Sequence, residues 1–121
     1  MRTPASLQAD LAVLHELLTA DRERTTDLIS SLTQNVTSIV EATRLTATDD
    51  EHDPEGSTIA FERSQTTSLL AAATNHLTDV DKALNKIANG NYGHCERCAA
   101  PISRERLLAR PATHTCITCA A

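Results

Sequence analysis

Four cysteines near the end of the chain are the residues whose spacing most clearly predicts chemistry. Cys95 and Cys98 form one Cys-x2-Cys pair, and Cys116 and Cys119 form a second pair after 17 intervening residues. Each pair can place two thiolates on a tight turn, and two such turns complete the tetrahedron of sulfurs that zinc accepts in structural sites. The separation between the pairs is typical of such sites. The spacing therefore predicts one structural zinc ion bound by the four cysteines.

Other chemistries for these cysteines are less well supported by the sequence. Redox Cys-x-x-Cys motifs belong in a βαβ context, and no such pattern is present. His94 and His114 flank the pairs, but four sulfurs already fill a tetrahedral site, so we expect both histidines to lie outside it. A closed site has no position for a reactive water. With no catalytic Ser/His/Asp or Cys/His set in the sequence, we expect that the protein is not an enzyme.

Charge and hydropathy argue against several classes of partner. The formal net charge is −5, whereas non-specific binding to nucleic acid or to an anionic membrane requires a basic surface. No apolar run is long enough for a membrane span. The first residues, Met-Arg-Thr-Pro, do not resemble a signal peptide. We therefore expect a cytoplasmic protein, in which reduced thiols are available as metal ligands.

A long first helix is predicted between about residues 4 and 45. Thr3 is a suitable N-cap and Pro4 a suitable first helical residue. No glycine or proline interrupts the chain between Pro4 and Pro54. Apolar residues recur at steps of three and four, which indicates one buried helical stripe, although it weakens around Asp21 and Thr25. The stripe consists of Leu7, Leu11, Leu14, Leu18, Leu28, Leu32, Val36 and Ile39.

Residues 46–58 interrupt the helical pattern. They contain Pro54 and Gly56 and no lysine or arginine, which is typical of a turn. Carboxylates are concentrated in this segment. Their negative charge is consistent with a solvated turn or with a surface that binds a cation or a basic partner. The acidic residues are Asp49, Asp50, Glu51, Asp53 and Glu55.

A second helix is predicted over residues 59–89. Ser57 or Thr58 can cap its start, and Gly90 follows Asn89 as a helix-ending glycine. Its stripe alternates steps of four and three, the spacing of a coiled-coil seam. The stripe consists of Ile59, Arg63, Thr66, Leu70, Ala73, Leu77, Val80, Leu84 and Ile87.

These elements predict a mostly α fold with two parts. Residues 1–89 should form a long antiparallel coiled-coil hairpin with an acidic tip at 46–58, because two amphipathic helices joined by a short turn fold back on each other. Residues 90–121 should form a small C4 zinc-ribbon or zinc-finger module packed on the base of the hairpin. We expect Leu7, Leu11 and Leu14 to pack against this module.

The module should also contain a short helix over 103–109, ended by Arg110-Pro111. Its arginines make this end of the chain locally basic. They are candidate contacts for an acidic partner or a phosphate, or else they form a solvated surface that offsets the −2 charge of a zinc-tetrathiolate centre. These residues are Arg97, Arg104, Arg106 and Arg110.

From Asp79 to its end, the chain resembles the C-terminal signature of the DksA/TraR family. The two predicted helices and the acidic turn before this segment extend the likeness to nearly the whole chain. The matching motifs are Tyr92-Gly93-x-Cys95-x-x-Cys98, Pro101-Ile102, Arg106-Leu107-x-Ala109-Arg110-Pro111 and Cys116-Ile117-x-Cys119.

The resemblance implies a bacterial transcription regulator that binds RNA polymerase and not a specific DNA sequence. In this family the coiled coil enters the secondary channel of the polymerase, acidic tip residues lie near the catalytic magnesium, and the zinc module stays at the channel rim. Binding changes the stability of promoter open complexes. The resemblance therefore implies a zinc-loaded, monomeric partner of RNA polymerase.

At the tip, the resemblance implies that acidic residues face the polymerase active site. Family members carry Asp-x-x-Asp-x-Ala, and here Asp50-x-x-Asp53 is followed by Glu55 in place of the alanine. An ungapped count from the cysteines places His52 and Glu55 at the two aspartate positions instead. The candidates are therefore Asp49, Asp50, Asp53 and Glu55, with Phe61 just beyond them as a further candidate polymerase contact.

The sequence differs from the family's best-studied member in its second helix. That member binds ppGpp together with polymerase through basic residues of this helix, whereas no lysine or arginine lies between Arg63 and Lys82 here. The sequence therefore does not predict a ppGpp-dependent response. Two alternatives to a polymerase-binding regulator are a zinc-stabilised coiled-coil adaptor, suggested by the regular second stripe, and a nucleic-acid-binding zinc finger, suggested by the arginines.

Overall fold

The computed structural model describes residues 2–45 and 54–120, with side chains for 2–42 and 56–120. A 3-10 turn at Ala5–Asp10 leads into helix α1 (Leu11–Leu45). Helix α2 covers Pro54–Asn89 and the short helix α3 covers Arg104–Ala109. Within these ranges the β-structure is an isolated bridge between His94 and Pro101. The predicted mostly α fold with two long helices is confirmed.

None of the helices in the described part of the chain is long and apolar enough to cross a membrane.

The starts of both long helices differ from the sequence prediction. The first turn after Pro4 is 3-10 and becomes α-helical at Leu11. Helix α2 begins at Pro54, and not at residue 59. Proline suits the first helical position because the N–H that it lacks would have no partner in the helix there. The expected cap at Ser57 or Thr58 is therefore wrong, since both residues lie inside α2.

The C-terminal end of α2 is as predicted. Gly90 has a φ of +75°. Its N–H donates to the Ile87 carbonyl at 3.2 Å, and the Asn91 N–H donates to the Lys86 carbonyl at 3.0 Å. This pair of bonds is a Schellman motif, which satisfies carbonyls that the helix leaves without partners. The chain thereby turns directly from α2 into the cysteine-containing segment.

The chain divides into two compact units, and the first contains Met1–Arg24 and His76–Ala121. In this unit α1 and α2 run antiparallel. The Thr3 N–H donates to the Gly90 carbonyl at 2.8 Å, and further along Arg22 pairs with Asp81 at 2.8 Å. A single apolar core joins both helices to the cysteine-containing segment, as predicted for Leu7 and Leu14. It contains Leu7, Leu14, Leu18, Val80, Ala83, Tyr92, Cys95, Ile102 and Leu107, with Leu11 packed against it.

The second unit contains Thr25–Asn75. Its α2 stripe follows the sequence prediction, with Thr66 and Ala73 buried, although Arg63 is exposed. In α1 the prediction is wrong at one position. Leu28 is 50% exposed, and Ile29 is half-buried in its place. A helical stripe at 3.6 residues per turn drifts relative to fixed steps of three and four, which moves the inward position by one residue here.

Gly93 is the glycine whose replacement should cost most stability. Its φ is +109°, and a Cβ would lie 2.7 Å from Leu7 Cδ1 and 3.3 Å from Pro4 Cδ. We expect Gly93→Ala to lower the free energy of unfolding by about 3 kcal/mol or more, from backbone strain plus overpacking. Unfolding of the zinc-loaded protein in urea, followed by circular dichroism, measures this effect.

Gly90→Ala is the matched control for this prediction. Gly90 also has a positive φ, of +75°, but a Cβ there meets no atom within 4 Å. This substitution should cost only the left-handed backbone term of about 1–2 kcal/mol. Equal destabilisation by the two alanines would show that the contact with Leu7 does not matter.

Candidate metal centre

The first cysteine pair lies on a tight turn closed by backbone hydrogen bonds. The Ala99 N–H donates to the Cys95 carbonyl at 2.9 Å, and the Cys95 N–H donates to the Ala100 carbonyl at 2.9 Å. Ala99 has a φ of +64°, which lets the chain reverse directly after Cys98. The segment after this turn is held in place by the Ile102 N–H, which donates to the Gly93 carbonyl at 2.8 Å.

The second pair repeats this arrangement. The Ala120 N–H donates to the Cys116 carbonyl at 3.0 Å, which is again a bond from the fourth residue after the first cysteine. A backbone hydrogen bond connects the two turns: the Glu96 N–H donates to the His114 carbonyl at 2.9 Å. Between them lies α3, whose N-cap Ser103 accepts from the Arg106 N–H at 3.3 Å. Backbone geometry therefore brings the two pairs face to face.

The four sulfurs converge on one point. All four Sγ atoms lie within 4.8 Å of one another, and Cys98 Sγ is 3.7 Å from Cys116 Sγ. A tetrahedral zinc site with Zn–S bonds of about 2.3 Å has sulfur–sulfur edges of about 3.8 Å. The observed separation is far longer than a disulfide bond, and all four cysteines are free. Cys95, Cys98, Cys116 and Cys119 are therefore positioned to bind one zinc ion.

The electrostatics of the cluster also suit a cation. The backbone N–H groups of Cys98 and Cys116 lower the pKa of Cys95 to about 6, and the Cys119 N–H lowers the pKa of Cys116. The neighbouring sulfurs, that of Cys116 first, raise the pKa of Cys119 to about 12. Thiolates at this spacing repel one another, and a bound divalent cation would offset that repulsion and hold all four deprotonated.

The metal centre is anchored on α2 and on the core of the first unit. Cys95 and Tyr92 are each 2% exposed. The Tyr92 hydroxyl donates to the Pro111 carbonyl at 2.8 Å, which ties the start of the first cysteine turn to the segment before the second. Lys86 of α2 donates to Glu96 Oε1 at 2.9 Å. These contacts position the two turns relative to α2.

Tyr92 offers a direct spectroscopic test of this packing, because the chain has one tyrosine and no tryptophan. Burial raises the pKa of Tyr92 above its ordinary value of 10.0. The phenol should therefore remain protonated at pH values where a free tyrosine ionises, and it should stabilise the fold until the pH rises through the elevated pKa. Absorbance at 295 nm during an alkaline titration measures this ionisation, and titration near pH 10 in the folded protein would contradict the buried environment.

The two flanking histidines lie outside the sulfur cluster. His94 Nε2 is 2.7 Å from the Arg2 carbonyl oxygen. His114 lies between two acids, with Nδ1 3.5 Å from Glu96 and Nε2 3.9 Å from Asp79. Among the described residues, the group of side chains placed to hold a metal consists of the four cysteines alone. The histidines therefore contact the surroundings of the site and not its centre.

The side chains of three of the four candidate arginines donate hydrogen bonds within the protein. Arg97 donates to the Cys119 carbonyl at 3.4 Å. Arg104 forms a two-point pair with Asp10 at 2.7 and 3.1 Å, and this hydrogen bond lowers the pKa of Asp10. Arg106 donates to the Thr115 carbonyl at 3.0 Å. Arg97 and Arg110 line a surface cavity of about 500 Å³ with Arg106, Asp21 and Asp79. The roles of these arginines in partner binding stay a prediction.

The other candidate contacts lie in or near the acidic segment. Asp49, Asp50 and Asp53 fall outside the described residues. Glu55 belongs to the first turn of α2, and its side chain is also outside the described part. Phe61 is 68% exposed on α2. Sequence reasoning missed the supporting roles of Asp10 and Arg106, because their contacts depend on chain segments that periodicity alone does not bring together.

Comparison with known proteins finds a family whose model matches the cysteine-containing segment. The model for the prokaryotic DksA/TraR C4-type zinc finger matches residues 90–121. An uncharacterized protein of Aquifex aeolicus is 50% identical over 44 residues, which are 36% of this chain and 30% of that protein. The RNA polymerase-binding transcription factor DksA of Escherichia coli is 40% identical over 40 residues, which are 33% of this chain and 26% of that protein. The matches thus span less than a third of either relative.

Similarity at the level of the fold extends further along the chain. The structure of transcription factor DksA2 from Pseudomonas aeruginosa matches with a TM-score of 0.74 and 22% sequence identity, over 98% of this chain and 88% of that one. The four converging cysteines lie inside the segment that the family model matches. Residues 90–121 are therefore a zinc finger of the prokaryotic DksA/TraR C4 type, and the chain shares the fold of DksA2.

Proposed function

We propose that this protein is a bacterial transcription regulator that acts by binding RNA polymerase in the cytoplasm. The observation that carries the proposal is the combination of a DksA/TraR C4-type zinc finger with a DksA2-like fold over 98% of the chain. A relative with 40% identity in the zinc-finger segment, the E. coli DksA, is an RNA polymerase-binding transcription factor. The same partner is the best candidate for this chain.

The mechanism we propose is entry of the acidic segment into the secondary channel of polymerase. Residues 49–55 contain five carboxylates and no lysine or arginine. Complementary charge would steer such a segment toward a positively lined channel. Inside it, carboxylates suit the hard Mg²⁺ ion of the active site or a basic loop beside it. The zinc finger holds the adjoining ends of α1 and α2 in one core, which supports the two helices that carry the acidic segment.

We also propose that the protein has no enzymatic activity, does not read DNA and does not require ppGpp. It is not an enzyme, because the thiols are committed to a structural metal and four sulfurs leave no open coordination position. It does not read DNA, because its net charge is −5 and backbone binding requires neutralised phosphates. It acts as a monomer, and its effect does not require ppGpp, since α2 has no lysine or arginine between Arg63 and Lys82.

In vitro transcription tests this proposal. The zinc-loaded protein is titrated into cognate polymerase on a ribosomal RNA promoter with a short-lived open complex, with and without ppGpp. We expect a dose-dependent change in transcript yield and in open-complex lifetime, of similar size in both conditions. Binding is measured separately with fluorescently labelled protein, against polymerase and against duplex DNA at low salt. Binding to duplex DNA but not to polymerase would replace the proposal with a DNA-binding zinc finger.

A further inference from the structure

The two compact units are packed to different degrees. The largest fully buried side chains, which include Tyr92, Leu14, Leu18, Leu107 and Val80, all belong to the first unit. Among the described residues of the second unit, the buried ones are Thr25, Thr66 and Ala73. Two of these carry hydroxyls and the third is small, so each buries little apolar area. Hydrophobic stabilisation increases with the apolar area removed from water. The second unit therefore has less hydrophobic stabilisation per residue than the first.

The large apolar residues of the second unit do not compensate for this. Those on the inward face are only half-buried, and Leu28, Leu69 and Phe61 are 50%, 53% and 68% exposed. A half-buried side chain contributes only part of the transfer free energy that a fully buried one contributes. The half-buried residues are Ile29, Leu32, Val36, Ile39, Ile59 and Leu70.

In the first unit, side-chain ion pairs join α1 and α2 close to the boundary residues Arg24 and His76. Arg22 pairs with Asp81 at 2.8 Å, and His76 Nε2 lies 2.8 Å from Asp21 Oδ2. The apolar core and the four metal ligands also belong to the first unit. The two exposed ion pairs contribute little by themselves, whereas the buried apolar core raises the free energy needed to open this unit.

From this contrast we infer that the described parts of the second unit, residues 25–45 and 54–75, open together as one cooperative unit while the first unit stays folded. The helices of the second unit separate or unwind in the open state, and the small apolar area buried in this unit sets the low free energy of opening. Local opening below the global unfolding free energy is typical of segments with little buried apolar surface. The inference concerns the chain alone and does not depend on the proposed binding to polymerase.

Native-state hydrogen exchange of the zinc-loaded full-length protein tests the inference. Peptides covering 28–40 and 59–72 report on the second unit, and peptides covering 14–22 and 77–88 report on the first. We expect amides of the second unit to exchange at least about 100-fold faster, and to share one dependence on low denaturant concentration. Equal protection in both units would overturn the inference. So would a gradual loss of protection along the second unit with no shared denaturant dependence, because that result indicates fraying.

Substitution of a buried threonine tests whether buried apolar area sets the opening free energy. Thr66→Val replaces a buried hydroxyl by a methyl group of similar size. Exchange in the second unit should slow by about fourfold, because one more methyl group becomes buried, while exchange in the first unit stays unchanged.

Thr67→Val is the matched control. Thr67 is exposed, and its hydroxyl donates to the Arg63 carbonyl of its own helix at 2.7 Å. The control should leave exchange in the second unit within about twofold of the original chain, since it buries no methyl group. Equal slowing by both variants, or equal slowing in both units, would show that buried apolar area at Thr66 does not set the opening free energy.

Discussion

Cys95→Ser or Cys116→Ser is expected to abolish stoichiometric zinc binding and to unfold most of the first unit. A serine hydroxyl is a poor replacement for a thiolate ligand, and three sulfurs do not close the tetrahedral site. In small zinc domains the metal-binding free energy, apparent values of which are about 10–16 kcal/mol, is folding free energy. Zinc content by mass spectrometry of the metal and helicity by circular dichroism measure the two effects.

The structure explains why the loss should extend beyond the cysteine turns. Cys95 is 2% exposed and belongs to the same core as Leu7, Leu14 and Val80. Release of the metal would free the two turns to separate, and this exposes apolar surface of both helices to water. The ends of α1 and α2 near the centre should therefore lose protection together with the zinc finger.

Substitution of the flanking histidines provides the control. His94→Gln and His114→Gln should each retain one zinc ion per chain, because neither imidazole belongs to the sulfur cluster. Loss of zinc from either variant would indicate a mixed cysteine and histidine site. Retention of a full equivalent of tightly bound zinc by both serine variants would contradict the four-sulfur site itself.

Asp50→Asn together with Asp53→Asn is expected to remove the effect on transcription while binding to polymerase stays largely intact. The proposed mechanism places these carboxylates near a bound Mg²⁺ or a basic loop, where amides of the same shape carry no charge. Loss of about 1.4 kcal/mol of charge interaction already reduces an equilibrium constant tenfold. We therefore expect the effect on open-complex lifetime to fall by about tenfold or more at saturating protein.

A variant with the same change in charge at another place separates tip chemistry from net charge. Glu23→Gln with Asp27→Asn removes two carboxylates from the exposed surface of α1. This control should regulate almost as well as the original chain, with at most a slower association with polymerase at low salt. Normal regulation by the Asp50 and Asp53 double variant would contradict the tip mechanism. Loss of polymerase binding in that variant would show that the tip residues serve attachment and not regulation.

Much of the candidate site was predictable because its determinants are local in sequence. Two Cys-x2-Cys turns specify a four-sulfur metal site through chain geometry over a few residues. The steps of three and four predicted two long helices, and the glycine after Asn89 predicted the end of α2. The resemblance to the DksA/TraR zinc finger rested on motifs within residues 92–119, which lie inside the segment that the family model matches.

Other features were decided by contacts between segments that are far apart in the chain. Leu28 and Ile29 are both apolar and adjacent, so composition does not separate them, and only the structure shows that Leu28 is 50% exposed while Ile29 is half-buried. Gly93 matters because Leu7 and Pro4, which come much earlier in the chain, approach it closely. Arg104 was a candidate partner contact by charge, and the tertiary structure pairs it with Asp10. Periodicity and spacing therefore determined the helices and the metal ligands, whereas the tertiary structure decided which side chains are buried, crowded or paired, because those properties depend on distant segments.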